Sequence, residues 1–381
     1  MTKRPLVVWR DSPLDLERPL WSWTADRWGG DARVVHARAL PPERTTLDWG
    51  ASSIREVHVG EDAARAVGRV RGDVDAFDDA LHVFYGLRGT SGRVLDIVCR
   101  QTQAPVVVVA ERPTRHEGGV PGLAKTLASK AVYASLSRRY RDRIGAFLAM
   151  GLKGCQEYED AGFRKDSIFP FMYAPFDPAV EAVSAHRGPG VPVRFIYVGR
   201  LDSRYKGLDV LLEAVSALDP STPWTLDIVG GYGELTTQVS EFAESHPLVN
   251  FLGAWQPGQV VQQMTAYDVT VVPSRYDGWN AVTNHAVNAG LGVIVSDQAT
   301  SDELVRASGA GKIVGAGSVR QLTEAMVEVI GSPWLVEDLK AKARCYSPAI
   351  STERVGAYLL EVLEYASERR DPAAVPTCPW L

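Results

Sequence analysis

The sequence predicts an α/β fold of two domains, each a parallel sheet wrapped by helices. Short apolar runs rich in Val, Ile, Phe and Tyr alternate along the chain with longer stretches in which apolar residues recur at helical spacing. The chain has 381 residues, which is more than one ordinary hydrophobic core accommodates. We therefore expect two domains of the same class.

Strand candidates are spread over the whole chain. Those of the first half are 6–10, 32–37, 56–60, 81–85, 105–110, 146–150 and 167–172, and those of the second half are 193–199, 224–230, 249–253, 269–273, 292–296 and 312–314. The helical pattern is clearest at 207–218, where one buried face is marked by Leu208, Leu211, Leu212, Val215 and Leu218. A last helix is expected at 351–368.

A stretch rich in proline and glycine predicts the boundary between the domains. Between Ala174 and Val191 lie Pro175, Pro178, Gly188, Pro189 and Gly190, a composition typical of a linker. The predicted organisation is a first domain at 1–175, a linker at 176–191, a second domain at 192–348, and a C-terminal helix with a tail at 349–381. Packing of that helix back on the first domain is one option.

The composition is that of a folded globular protein without a large nucleic-acid surface. Apolar residues make up 45%, charged residues 23%, and the formal net charge is -5. The first residues, Met1-Thr2-Lys3-Arg4-Pro5, pass directly into an apolar run that is too short for a signal peptide. The cysteines Cys99, Cys155, Cys345 and Cys378 show no paired spacing, so neither a zinc site nor a disulfide framework is indicated. These features favour a cytoplasmic protein.

Although the net charge of the chain is negative, one stretch has a local cluster of positive charge. Within a short stretch lie Lys125, Lys130, Arg138, Arg139, Arg141 and Arg143. The cluster is interpreted either as a solvated helix face or as a surface for anionic lipid or an acidic acceptor. The second interpretation allows peripheral contact with the inner face of a membrane.

Four polar features follow predicted strands of the second half, where ligands sit in open α/β sheets. The first is Gly199-Arg200-Leu201 with Lys206-Gly207, in which the arginine and the lysine can together neutralise a diphosphate. The second is a glycine-rich turn with Gly230, Gly231, Gly233 and Glu234, whose backbone N–H groups can approach an anion or a flat base. Taken alone, the second feature is a weak signal, because such turns are common in α/β proteins.

The third feature, residues 273–290, is the most informative stretch of the chain. A helix is predicted to start directly after the carboxylate of Asp277. The residues at this helix start are Gly278, Trp279, Asn280 and Ala281. A helix N-terminus there can hold a phosphate beside an aspartate that binds sugar hydroxyls. The fourth feature, 292–303, is a strand followed by a polar loop and decides nothing by itself.

These stretches, in this order, make residues 193–330 resemble the donor-binding lobe of glycosyltransferase family 4, retaining enzymes of the GT-B fold. The resemblance implies two Rossmann-like domains facing each other across a cleft, with the acceptor bound by the first and the nucleotide-sugar donor by the second. It implies that Arg200 and Lys206 contact the donor diphosphate. It places Asp277 at the first of two acidic family positions, which touches the donor sugar.

The second acidic family position, which contacts the nucleotide ribose, is occupied here by His285. A carboxylate accepts hydrogen bonds from both ribose hydroxyls, whereas neutral imidazole offers one acceptor and one donor. One interpretation is that His285, with Asn284, binds the ribose in an altered geometry. The other is that donor affinity is lost and the protein is a regulator.

The first half resembles the acceptor lobe of the family only loosely. Glu111 stands near the position where many relatives carry a histidine beside the reacting sugar, and it is a catalytic candidate with Asp277; pairing with Arg112 or Arg115 is the competing explanation. Acceptor-side candidates are Asp11, Ser12 and His116. Of the tryptophans Trp21, Trp23 and Trp28, at least two are expected in the core rather than on a sugar. The pair Asp73 and Asp75 is read as solvated surface rather than as a metal site.

The expected activity is transfer of a sugar from a nucleoside-diphosphate sugar to a hydroxyl of a polysaccharide, glycolipid or natural-product precursor, without a cofactor and without a required metal. Arg200, Lys206 and the helix start at 278–280 would stabilise charge on the departing diphosphate. Two alternatives stay open: an epimerase or pseudoglycosyl coupling enzyme of the same fold, and a non-catalytic sugar-nucleotide-binding protein. The expected partners are the donor and a small, lipid-linked or glycan acceptor, not nucleic acid.

Overall fold

The computed structural model of the chain describes residues 3–11, 17–38, 54–60, 62–113, 119–173, 190–367 and 375–381. The chain divides into two compact units. The first unit comprises Met1–Met172 with Thr352–Pro379, and the second comprises Tyr173–Ser351 with Trp380–Leu381. Most of the predicted linker, together with Ser12 and His116, lies outside the described residues.

The first unit alternates strands and helices. Its strands are β1 (Leu6–Arg10), β2 (Ala32–His36), β3 (Arg55–His58), β4 (Leu81–Tyr85), β5 (Val106–Ala110), β6 (Ile144–Met150) and β7 (Ile168–Phe171). Its helices are α1 (Arg18–Trp28), α2 (Ala63–Asp73), α3 (Gly89–Gln101), α4 (Gly119–Tyr140), α5 (Gly151–Asp160) and the C-terminal α13 (Thr352–Ser367). The strands form one parallel sheet in the order β3-β2-β1-β4-β5-β6-β7.

The core of the first unit is built from apolar strand runs and the apolar stripes of the helices. In β5 the residues Val106–Val109 are almost fully buried, as expected for a central parallel strand covered on both faces. The helix α13 adds a buried stripe, and its Gly356 packs so closely on Trp23 that a Cβ would lie 2.4 Å from the indole. Trp21 and Trp28 are fully buried, which confirms that two of the three tryptophans are core residues.

The second unit repeats the architecture. Its strands are β8 (Val193–Val198), β9 (Trp224–Val229), β10 (Val249–Gly253), β11 (Val269–Val272), β12 (Gly292–Ser296) and β13 (Gly311–Val314). Its helices are α6 (Leu208–Ser216), α7 (Thr236–Ser245), α8 (Val260–Met264), α9 (Ala281–Asn288), α10 (Asp302–Ser308), α11 (Val319–Ile330) and α12 (Pro333–Tyr346). The strands form a second parallel sheet in the order β10-β9-β8-β11-β12-β13.

The predicted strands all form, and none of their ends moves by more than two residues. The predicted helix at 207–218 begins one residue later, because Gly207 adopts φ 63°, a left-handed conformation outside the helical region. The residues Asp73 and Asp75 are exposed, Asp73 at the end of α2, as expected for solvated surface. Within the part of the chain that the structure describes, no helix has both the length and the apolar character needed to cross a bilayer.

Candidate functional site

The topology of the second sheet fixes where a ligand can bind. From β8 the chain builds β9 and β10 on one side and then returns to place β11 on the other side of β8. In open α/β sheets the crevice at such a reversal, outside the carboxyl ends of the strands, is the usual ligand site. The loop with Arg200 and Lys206 follows β8, and the loop with Asp277 follows β11. The two informative sequence stretches therefore meet at this point.

A short ion pair between these loops joins Lys206 and Asp277. The Lys206 Nζ donates to Asp277 Oδ2 at 2.5 Å, and the two side chains are 21% and 14% exposed. The same oxygen accepts a second hydrogen bond from Asn280 Nδ2 at 2.9 Å. The carboxylate is thus held by a cation and an amide while it still reaches solvent, which suits a group that must bind a polar ligand.

The side chain of Arg200 lies on the same edge of the sheet and is 45% exposed. It forms an ion pair with Asp202 at 3.2 Å. The other oxygen of Asp202 accepts from the backbone N–H groups of Tyr205 and Lys206, at 2.8 and 2.9 Å. Asp202 therefore shapes the loop that presents both cations. Sequence reasoning did not assign it a role, although an aspartate three and four residues before the bonded N–H groups is a recognisable turn pattern.

Glycine at position 207 lets the two loops approach each other. A Cβ on Gly207 would lie 2.2 Å from the carbonyl oxygen of Pro273, and the backbone has φ 63°. Side chains larger than glycine are excluded here by both the contact and the conformation. The Lys-Gly dipeptide thus has a structural explanation: the glycine brings the lysine beside the β11 loop.

The segment 278–284 is held by side-chain hydrogen bonds. Asn280 caps α9, because its Oδ1 accepts from Val282 N at 3.0 Å. The buried indole of Trp279 donates from Nε1 to Asn284 Oδ1 at 2.8 Å, and Asn284 Nδ2 donates to the Tyr173 carbonyl at 2.9 Å. Asn284, predicted to bind the nucleotide, therefore uses both ends of its amide within the protein in this structure.

His285 lies in α9 and is only 4% exposed. Burial lowers its pKa from the usual 6.5 to about 4, so the imidazole is neutral at physiological pH. A neutral imidazole can donate one hydrogen bond and accept one, but it brings no charge to the site.

The predicted glycine-rich turn packs against the β8 loop. A Cβ on Gly230 would lie 2.3 Å from the Gly199 carbonyl oxygen, and one on Gly233 would lie 2.1 Å from that of Leu201. The carboxylate of Glu234 accepts from both the backbone N–H and the hydroxyl of Ser203. A Cβ on Gly231 would lie 2.8 Å from Ala254 Cβ. Gly230, Gly233 and Glu234 therefore support the loop that carries Arg200, whereas Gly231 packs on the residue after β10; their role at the nucleotide stays a prediction.

In the first unit, Glu111 follows β5 and is exposed, and its carbonyl oxygen accepts from the Tyr158 hydroxyl at 2.6 Å. The neighbouring Arg112 forms its ion pair with Glu157, at 2.5 Å. Arg115, the other residue proposed to pair with Glu111, lies outside the described residues, so the competing explanation stays open.

Asp11 follows β1 at the point where the first sheet reverses, between β1 and β4. Its Oδ1 accepts from Ser91 N at 2.7 Å, in the first turn of α3. Next to it lies a buried network that sequence reasoning did not find: Tyr85 donates to Glu17 at 2.6 Å and accepts from Trp21 at 2.8 Å. No spacing pattern connects these residues, because the fold alone brings them together.

Among the described residues, no group of three or more His, Cys, Asp or Glu side chains could hold a metal ion.

Comparison with known proteins agrees with this geometry. Residues 192–332 match the protein family described as Glycosyl transferases group 1. The chain is similar in structure to sucrose-phosphate synthase from Thermosynechococcus elongatus, with a TM-score of 0.72 and 15% sequence identity over 95% of this chain and 98% of that one. It is also similar to HepE from Anabaena in complex with UDP and glucose, with a TM-score of 0.70 and 17% identity over 95% of this chain and 99% of that one.

A third similar structure is WaaG, a glycosyltransferase involved in lipopolysaccharide biosynthesis, with a TM-score of 0.63 and 14% identity over 94% of this chain and 99% of that one. None of the curated proteins matches the chain. The family match includes Arg200, Lys206 and Asp277 and spans the second sheet. The chain therefore has the GT-B fold, and residues 192–332 are similar to the glycosyl transferases group 1 family, which supports sugar transfer as the activity.

Proposed function

We propose that this protein is a retaining glycosyltransferase of family 4 that moves a sugar from a nucleoside-diphosphate donor to a hydroxyl acceptor. The observation that carries the proposal is the meeting of Lys206 and Asp277, 2.5 Å apart, with Arg200 on the same edge of the second sheet. Two cations and one carboxylate at the reversal of a parallel sheet match the needs of a diphosphate and the sugar attached to it.

Each of these side chains has a distinct part in the proposed reaction. Arg200 and Lys206 bind the diphosphate, and their charges stabilise the negative charge that grows on the leaving group. Asp277 binds hydroxyls of the donor sugar and offsets positive charge on its ring. The acceptor attacks from the face that the diphosphate leaves, the diphosphate accepts the acceptor proton, and the anomeric configuration is retained. The main contribution of the protein is electrostatic.

The ion pair of Lys206 with Asp277 has a consequence for donor binding. We expect a diphosphate to compete with the carboxylate for the lysine. The hydrogen bond from Asn280 to Asp277, 2.9 Å long in this structure, is then expected to hold the carboxylate in place. Because both cations come from the protein, we propose that turnover requires no added metal. Undiminished turnover in EDTA is the expected result, and restoration of a lost activity by Mg²⁺ would contradict it.

The acceptor is proposed to bind to the first unit, with Glu111 and Asp11 as the candidate contacts among the described residues, because each follows a strand of the first sheet. Asp11 is held by Ser91 N at 2.7 Å, and Glu111 is exposed at the end of β5. All four cysteines are among the described residues and none is joined to another in a disulfide, which suits the cytoplasm. We accordingly place the reaction there, with a hydroxyl of a glycan, a lipid-linked intermediate or a small molecule as the acceptor.

The experiment that tests this function is calorimetric binding of a panel of nucleoside diphosphates and their sugars, beginning with UDP and UDP-glucose. These come first because HepE was solved with UDP and with UDP-glucose. Wild type is compared with Arg200→Ala and with Arg204→Ala, an exposed arginine that flanks the same Tyr205 ring. We expect one nucleotide to bind, Arg200→Ala to weaken binding by about tenfold or more, and the control to bind normally.

A second candidate function, sugar-nucleotide binding without turnover, is favoured by His285. The buried neutral imidazole stands where the family resemblance expects a carboxylate. Nucleotide binding without hydrolysis or transfer to any acceptor would support this candidate. Failure of wild type to bind, with binding gained in His285→Glu, would contradict the transferase proposal.

A further inference from the structure

The side chain of Arg275 joins the two loops that carry the donor-side residues. Arg275 lies in the β11 loop, two residues before Asp277, and its guanidinium contacts the β8 loop and the first turn of α6. Its Nη1 donates to the Ser203 carbonyl oxygen at 2.6 Å and to Asp209 Oδ1 at 2.5 Å, and its Nη2 donates to Asp209 Oδ2 at 2.8 Å. One side chain therefore holds both ends of the segment that contains Lys206.

The pair of Arg275 with Asp209 has the geometry that makes arginine pairs directional. Two N–H donors of the guanidinium meet the two carboxylate oxygens, so the side chain is fixed in orientation as well as in position. The two side chains are 38% and 37% exposed, and solvent therefore screens part of their attraction. We expect the pair to matter more for the position of the loops than for the free energy of unfolding.

The ion pair of Lys206 with Asp277 is expected to open when a donor binds, because the lysine then turns to the diphosphate. On one side the β11 loop stays fixed without it. The backbone N–H of Asp277 donates to the Gln298 carbonyl at 3.0 Å, and the Thr300 hydroxyl donates to the Asp277 carbonyl at 2.9 Å. These two bonds run to the loop after β12, so they do not hold the β8 loop.

Two backbone contacts also join the β8 and β11 loops. Tyr276 N donates to the Tyr205 carbonyl at 3.3 Å, which is longer than the usual range for such a bond. The second contact is the packing of Gly207 on Pro273. The bonds of Arg275 add three shorter connections, and they use no group that the donor is proposed to bind.

We propose that Arg275 is a positioning residue of the donor site, which keeps the β8 and β11 loops together when the diphosphate takes Lys206 from Asp277. This inference rests on the proposed function, because it requires a nucleoside diphosphate to bind at these loops. In the proposed mechanism Arg275 touches neither the donor nor the reacting atoms and acts through the placement of the lysine. A site that holds its binding geometry only part of the time loses apparent affinity in proportion.

The test is a double-mutant cycle of nucleotide affinity, measured by calorimetry with UDP or with the nucleoside diphosphate of the panel that wild type binds. The cycle compares wild type with Arg275→Gln, Lys206→Ala and the variant that carries both changes. The matched control is Arg164→Gln, since Arg164 of the first unit forms the same kind of two-bond pair with Asp166, at 3.0 and 2.5 Å. Melting temperatures verify that each variant is folded.

We expect Arg275→Gln to weaken binding by about fivefold, and the control to bind as wild type does. In the Lys206→Ala background the same change should cost less than about twofold, because its effect passes through the lysine. A merely structural role would instead weaken binding by the same factor in both backgrounds.

Two further variants keep the test valid if Arg275→Gln does not fold. Asp209→Asn removes the partner charge from the other side of the pair and should weaken binding in the same direction. Arg275→Lys keeps the positive charge but not the two-bond geometry, and its affinity should lie between those of wild type and Arg275→Gln.

Unchanged UDP binding in Arg275→Gln, or equal losses with and without Lys206, would overturn the proposal. It is also overturned if Arg164→Gln loses as much affinity, because loss of any exposed ion pair would then have the same effect. If wild type binds no nucleoside diphosphate, the proposed function fails and this inference fails with it. If wild type binds and the Arg275 variants bind equally well, only this inference fails, so the two failures are distinguishable.

Discussion

At the scale of single residues, the donor-side chemistry depends on Asp277 and the groups that hold it. Asn280 serves two purposes, since one end of its amide caps α9 and the other donates to Asp277. A substitution there would affect the stability of the helix and the position of the carboxylate together. A substitution at Asp277 itself separates charge from geometry, because asparagine keeps the shape and an oxygen that can accept from Lys206.

The variant Asp277→Asn is expected to bind the nucleoside diphosphate within about threefold of wild type while its kcat falls by about 100-fold or more. The physical reason is that the proposed task of the carboxylate is to bind the sugar and to offset charge in the transition state. Calorimetry and initial rates measure the two effects. Equal loss of affinity and rate would indicate that Asp277 acts on the diphosphate instead.

His285 gives a prediction for the pH dependence of stability. Its pKa is about 4 in the folded protein, because burial disfavours the charged ring, against 6.5 when exposed. Between these values the unfolded chain binds more protons, so lowering the pH from 6.5 to 4 reduces the free energy of unfolding, by roughly 3 kcal/mol at most.

The variant His285→Gln cannot titrate in this range and should lose this part of the pH dependence. Urea denaturation at pH 7 and at pH 4.5 measures the difference between variant and wild type. The same substitution at His246, a half-buried histidine of the same unit, should leave the pH dependence in place. If both variants behave alike, the buried ring is not the source of the effect.

At the scale of elements, the contact between the β8 and β11 loops depends on glycine at position 207. The substitution Gly207→Ala places a methyl group 2.2 Å from the Pro273 carbonyl and forces alanine into φ 63°. We expect a loss of unfolding free energy of about 3 kcal/mol and weaker nucleotide binding, because Lys206 moves away from Asp277.

The matched control for this element is Gly309→Ala. Gly309 has a similar φ of 65°, but the nearest atom to its Cβ is Lys342 Cδ at 3.6 Å, the end of a flexible side chain. Only the conformational cost of about 1 kcal/mol should appear there, with normal nucleotide binding. Chemical denaturation and calorimetry on both variants measure these quantities. Equal effects at the two positions would show that the Pro273 contact is unimportant.

At the scale of the whole molecule, each unit has its own hydrophobic core, and the chain crosses from the second unit back to the first at α13. The first unit is therefore completed by residues from the far end of the sequence. Tyr358 of this helix donates to the carbonyl of Pro170 at 3.0 Å, next to the end of β7.

The buried residue Leu359 of α13 tests this dependence. The variant Leu359→Ala is expected to destabilise the first unit by about 3 kcal/mol and to speed amide exchange in β1–β7, while nucleotide binding persists. Leu339→Ala changes a leucine that is also buried but lies in α12. It should destabilise the second unit instead and speed amide exchange in β8–β13. Hydrogen exchange with mass spectrometry resolves the two units. Faster exchange in both units from either variant would contradict separate cores.

The sequence by itself determined the class of the fold, the positions of the strands and of the helix at 207–218. It also indicated Arg200, Lys206 and Asp277 as candidate site residues. These signals are local: an apolar run buries itself in a sheet whatever its neighbours are, and the polar residues that follow a parallel strand lie at the ligand edge. The family resemblance added their expected roles. It also drew attention to His285.

Only the tertiary structure decided which of these residues touch. Four contacts bring together residues that are distant in the sequence or separated by a turn, and they depend on the order of the strands or the path of a loop. They are the pairing of Lys206 with Asp277, the packing of Gly207 on Pro273, the cluster of Glu17, Tyr85 and Trp21, and the hydrogen bond of Trp279 to Asn284. Composition and periodicity do not predict such contacts. They arise because burial selects one arrangement of the sheets, and hydrogen bonds must then be satisfied among the side chains that this arrangement brings together.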